Sequence, residues 1–102
     1  MIILPIQGQW FDLILSGKKT EEYRDLKPYY RTRFRNEGLL DENDKPLPEP
    51  FTIMLRNGYS RKSRFLTVKV TLREGRGNPD LGAKPGKICY ILEIKKILNG
   101  NL

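Results

Sequence analysis

The sequence predicts an α+β fold, a small closed or nearly closed β-barrel of about five strands with one or two helices at its mouth. Three observations carry that expectation. Most apolar residues fall into short runs, several with period-two alternation, bounded by Gly, Pro and Asn. One N-terminal stretch instead repeats its apolar residues at helical spacing. The chain has 102 residues, the length of one domain with one core, so a single domain spanning 1–102 is expected.

The elements follow in order. Met1-Ile2-Ile3-Leu4-Pro5-Ile6 reads as a strand; it lacks a basic leader and is broken by Pro5, so it is not read as a signal peptide. From Gln9 to Ser16, Trp10, Leu13 and Ile14 form one apolar stripe of a helix, which Gly17 stops in the left-handed conformation. Lys19 to Arg24 has no helical apolar face and reads as a strand. Pro28 suits the first turn of a short helix in which Tyr30 and Phe34 lie four apart among Arg31, Arg33 and Arg35. Asn36 to Pro50 is acidic and proline-rich, without periodicity, and reads as a surface loop; Asp41-Glu42-Asn43-Asp44 lacks the glycine and distal glutamate of a calcium loop.

Phe51 to Leu55 is a strand leading into the Arg56-Asn57-Gly58-Tyr59 turn, followed by the basic residues Arg61, Lys62 and Arg64. Leu66, Val68, Val70 and Leu72 alternate with polar residues, the clearest strand in the chain. A Gly- and Pro-rich connection, Glu74 to Pro79 and Gly82 to Gly86, precedes a last strand with Ile88, Tyr90, Leu92 and Ile94 on one face.

Composition narrows the chemistry. At 38% hydrophobic and 30% charged residues the chain is an ordinary globular one, not a disordered one. No apolar run approaches the roughly 20 residues of a membrane span. The lone Cys89 permits no internal disulfide and suits a reducing, cytoplasmic setting. The absence of histidine excludes Ser-His triads and His-based nucleases. With one cysteine besides, no thiol or imidazole metal site is expected, and neither a metal nor another cofactor is called for. The formal net charge of +7 makes nucleic acid the first partner to consider.

The residues best placed for chemistry are Lys19, Glu22 and Arg24. In a strand Glu22 and Arg24 point the same way, and Lys19, just after Gly17, can swing to that side. A carboxylate between two cations leaves positive charge over for a phosphate or a polarised carbonyl. Tyr23, Tyr29 and Tyr59 lie beside basic residues and are candidates to stack on bases, whereas Tyr30 and Trp10 read as packing residues.

Gly17-Lys18-Lys19-Thr20-Glu21-Glu22-Tyr23-Arg24 resembles the G-x-K-x-x-E-x-R signature of ASCH domains, relatives of the PUA-like RNA-binding barrels. The likeness takes in the helix before it, the Arg56 to Tyr59 turn and the closing Ile94-Lys95-Lys96-Ile97-Leu98 strand, which are similar to parts of small bacterial and phage ASCH proteins. The resemblance implies a PUA-like mixed barrel of five or six strands with two or three short helices. It further implies a cleft that holds RNA or a nucleotide against Lys19, Glu22 and Arg24.

Some ASCH relatives are amidohydrolases acting on N4-acetylcytidine through a Lys-Thr-Glu set, and others are reported as ribonucleases. Here Glu22 stands where the threonine nucleophile would be. Three functions follow. A binding module would use the cleft with Tyr23, Tyr29, Arg31, Arg33, Asn57, Tyr59, Arg61, Lys62 and Arg64 as nucleic-acid contacts. A hydrolase would use Glu22 as base with Lys19 and Arg24 stabilising developing charge. A protein-interaction adaptor would need only the basic surface. The binding module ranks first because the hydroxyl nucleophile is replaced; oligomeric state is left open.

Overall fold

The computed structural model describes residues 1–101. It contains β1 (Ile2–Pro5), α1 (Gly8–Leu15), β2 (Glu21–Asp25), α2 (Pro28–Asn36), β3 (Phe51–Arg56), β4 (Phe65–Arg76), a 3₁₀ turn (Pro79–Leu81) and β5 (Ile88–Asn101). The strands form one mixed sheet in the order β1-β3-β4-β5-β2, with β1 parallel to β3 and the other pairs antiparallel. The expected α+β class is what the chain adopts. The sheet is not closed: β1 and β2 are its two edges and share no ladder.

Period-two alternation places Leu66, Val68, Val70 and Leu72 of β4 in the core beside Ile53 and Leu55 of β3 and Tyr90 and Leu92 of β5. α1 and α2, at eight and nine residues, are too short to persist alone and are held by the faces they bury. α1 turns Phe11 and Ile14 into the core, and α2 turns in Phe34 against Tyr90, ring centroids 4.9 Å apart. Each such buried side chain contributes about 1.5–3 kcal/mol. Among the described residues no helix is long and apolar enough to cross a membrane.

Three local expectations are corrected. The buried stripe of α1 runs through Phe11 and Ile14, which leaves Trp10 and Leu13 half-buried at its flanks. β4 continues past Glu74 to Arg76, because Gly75 lacks the Cβ that would lie 3.2 Å from Ile91 of the neighbouring strand. β5 pairs along the whole of β4 through register shifts at Thr67/Val68 and Lys69/Val70, and its Cys89 and Ile91 are buried outside the main core cluster, on the face opposite Tyr90 and Leu92. The acidic, proline-rich segment remains a loop, tied by a Leu40–Pro46 bridge and by Arg35 on Asp44.

Candidate functional site

Gly17, at φ +82°, ends α1, and the backbone N–H groups of Lys18 and Lys19 both reach back to the Leu13 carbonyl. That turn delivers Lys19 to β2 with its side chain inward. Lys19 is 1% exposed and Glu22 6%. Lys19 Nζ lies 3.5 Å from Glu22 Oε1 and donates to the Leu81 carbonyl, while Arg24 Nη2 donates to Glu22 Oε2 at 2.6 Å. The three residues singled out in the sequence therefore meet, with one carboxylate between two cations.

The cluster is fastened on every side. Arg24 Nη2 also donates to the Pro5 carbonyl at 2.7 Å, linking the two edge strands, and Nη1 to the Tyr30 hydroxyl at 3.3 Å. Lys19 Nζ stands 4.4 Å from the Tyr23 ring centroid and 5.1 Å from that of Trp10. The Tyr23 hydroxyl donates to Glu21 and accepts from the Asn78 N–H. Burial pushes the Lys19 ammonium below its usual 10.5, opposed by Glu22. Burial also works against charge on Arg24, but Glu22 overcomes it and the guanidinium is held more firmly protonated than usual. Arg24 Nε is buried and has no hydrogen-bond partner among the described residues.

Above the cluster runs a groove made of four adjoining concavities. The central one, about 270 Å³, is walled by Pro5, Gln7, Trp10, Glu22, Tyr23, Arg24, Lys27, Tyr30 and Gly82. On one side it shares Tyr23, Arg24, Asp25 and Lys27 with a cavity of about 260 Å³ that adds Lys84, Lys87 and Cys89. On the other it shares Pro5, Gln7, Arg24 and Tyr30 with one of about 410 Å³ that adds Asn57, Gly58 and Tyr59. That third cavity opens into a fourth, about 430 Å³, with Ile3, Tyr29, Arg33 and Arg56. Among the described residues no carboxylate forms an ion pair with Lys27, Lys87, Arg33 or Arg56; Asp25 in the groove wall lies near enough to Lys27 and Lys87 to feel their charge, whereas the concavity of Arg33 and Arg56 has no carboxylate in its lining. Asp25 is engaged by Lys84, whose hydrogen bond holds its carboxyl below the usual range.

The structure thus gathers Glu22, Tyr23, Arg24, Tyr29, Arg33, Asn57 and Tyr59 along one groove. Lys19 lies beneath it, covered by Trp10 and Tyr23. Arg31 sits elsewhere, in a concavity with Asp44 and Glu74. Arg61, Lys62 and Arg64 lie on the β3–β4 turn outside the groove walls, and Arg64 pairs with Asp12 at 3.0 Å.

Sequence reasoning passed over Trp10, Tyr30, Gln7, Lys27, Lys84 and Gly82. Gly82 adopts φ +105°, and a Cβ there would sit 3.2 Å from the Trp10 ring. Gly77 has the same role toward Tyr23, whose ring atoms lie 2.4 Å from where its Cβ would stand. The signal was the clustering of glycines and lysines between Gly77 and Lys87, a composition suited to close backbone approach and anions rather than to a plain connection. Among the described residues no group of three or more acidic, Cys or His side chains is arranged to hold a metal. Compared with known proteins, the chain matches no family model, no curated protein and no solved structure.

Proposed function

We propose that this chain is an RNA- or nucleotide-binding domain of the ASCH kind, its sheet curled as a PUA-like barrel. The observation that carries this reading is the groove over Glu22 and Arg24, walled by Trp10, Tyr23 and Tyr30 and rimmed by Lys27, Lys87, Arg33 and Arg56, none of which forms an ion pair among the described residues. Aromatic walls accept base faces and free cations accept phosphates. The Arg24 bridge to the Pro5 carbonyl supports the barrel, since it draws the two open edges of the sheet together. The buried lone thiol of Cys89, which burial keeps protonated, fits a cytoplasmic setting.

Binding is favoured over hydrolysis by the state of Glu22. Each of its oxygens already faces a cation, Oε1 Lys19 and Oε2 Arg24, so Glu22 is engaged within the protein rather than left open to a water or a ribose hydroxyl. Thr20, the aliphatic hydroxyl within the motif, is exposed and outside the groove walls. Lys19 and Arg24 position Glu22 and Tyr30, and the ligand contacts fall to Gln7, Trp10, Tyr23, Lys27 and Tyr30.

Fluorescence anisotropy with a labelled single-stranded RNA across a salt series tests the reading, with the RNA recovered afterwards on a denaturing gel and an acetylcytidine-containing strand read by mass. Engagement of Lys27, Lys87, Arg33 and Arg56 gives a log–log salt slope of about −3 with the RNA returned intact. Cleaved or deacetylated RNA would hand the function to the hydrolase alternative. No binding at low salt would overturn the nucleic-acid reading and leave the protein-interaction adaptor.

A further inference from the structure

Two tyrosines are displayed on the surface instead of in the core. Tyr59 is 88% exposed and Tyr29 57%. Both line the fourth concavity, at the end of the groove remote from Lys84 and Lys87, together with Ile3, Pro5, Arg33 and Arg56. The backbone there is shaped for display. Gly58 takes φ +119°, and a Cβ on it would fall 2.7 Å from Ser63 Oγ, so the turn that carries Tyr59 outward requires glycine. Arg33 is held in place, donating to the Ile3 carbonyl at 3.1 Å and to the Tyr29 hydroxyl at 3.3 Å. Its guanidinium carbon lies 5.7 Å from the Tyr29 ring centroid.

Resting on the RNA- or nucleotide-binding reading, we infer that the Tyr29–Tyr59 concavity is a second base subsite, so that the ligand is a single strand spanning the groove and not a mononucleotide. The central pocket takes one nucleotide between Trp10 and Tyr30, and the strand continues past Asn57 and Gly58. A further base then stacks against the Tyr29 and Tyr59 rings that share this concavity while Arg33 and Arg56 take the phosphates. A duplex does not suit this geometry, because its bases are already stacked on one another and cannot offer a free face to an isolated ring. Positive charge without a local carboxylate favours this polyanion over a peptide of mixed charge.

The experiment titrates wild type, Tyr29→Ala and Tyr59→Ala with a random-sequence RNA pentamer and with the four ribonucleoside monophosphates, following amide shifts by NMR. The pentamer is expected to bind wild type at least tenfold more tightly than any monophosphate. Tyr59→Ala and Tyr29→Ala should each weaken the pentamer by about tenfold while leaving monophosphate affinity and the shifts at Gln7, Tyr23 and Lys27 unchanged. Both side chains are exposed, so the variants keep the fold. Pentamer affinity equal to that of a monophosphate, or unaltered by either substitution, would overturn the second subsite and leave the nucleotide-binding reading standing. If neither pentamer nor monophosphate shifts any groove resonance, that reading falls and the subsite with it. A proline-rich peptide shifting Tyr29 and Tyr59 when RNA does not would assign the patch to a protein partner and overturn the inference.

Discussion

Two charge networks share strand β2 and differ in almost everything but composition. On one face Glu22 is buried between Lys19 and Arg24, each of which also donates to a backbone carbonyl of another segment. In the other, its neighbour Glu21 meets Arg73 at 2.5 Å, and Arg73 meets Glu93 at 3.1 Å, all in contact with water. Burial decides what each is worth. An exposed pair gains little over its hydrated ions, whereas a buried carboxylate stripped of one partner keeps its desolvation cost. The buried network is thus a structural clasp between α1, β2, β1 and the 77–87 segment, on which the groove walls depend.

The widest separation between the two networks comes from truncating one cation in each. Lys19→Ala removes a partner of Glu22, the bond to the Leu81 carbonyl and the stem packed on Trp10 and Tyr23, and should cost about 3–5 kcal/mol in urea unfolding. A loss under 1 kcal/mol would show that the clasp is no stronger than a surface pair. Next in size, Gly77→Ala drives a methyl into the Tyr23 ring and Gly82→Ala into Trp10 at a positive φ, and each should lose about 1–3 kcal/mol. Arg73→Ala should cost under about 1 kcal/mol and its effect should shrink further in molar salt.

The smallest effect is one of slope. Burial gives Lys19 a lower pKa in the fold than its 10.5 in the unfolded chain. Between the folded value and 10.5 the unfolded chain therefore binds more protons, so stability from this group rises with pH through that window. Relative to Lys19→Met, wild type should gain stability between neutral and strongly alkaline pH, read from urea midpoints at each pH. A relative loss would mean that Glu22 outweighs burial and raises the Lys19 pKa.

What the sequence could say about this site follows the range of the forces involved. The common face of Glu22 and Arg24 is a consequence of period two, and the inward turn of Lys19 of a glycine stop, so both were legible. Arg31 and Arg33 looked equivalent in the sequence. Two residues apart on a helix they point roughly 200° apart, and one faces the groove while the other faces Asp44. Trp10 read as core because its spacing to Leu13 and Ile14 is helical, yet Phe11 takes the inner position and frees Trp10 to wall the groove. Lys84 joins the site only through the path of the 77–87 segment, a long-range matter that no local pattern encodes. The extension of β4 and β5 escaped for the same reason, since it depends on the Gly75–Ile91 approach and on register shifts.

The most direct test compares two charge reversals of equal size. Lys27→Glu with Lys87→Glu alters the groove; Lys69→Glu with Lys96→Glu alters exposed positions paired across β4 and β5, outside it. Two Lys→Glu changes of two charges each take the formal net charge from +7 to +3 in both proteins. Affinity for a labelled single-stranded RNA at fixed salt should fall more than about tenfold in the groove variant and far less in the other. Equal losses in both would contradict the account, reducing the groove to one part of a generally basic surface.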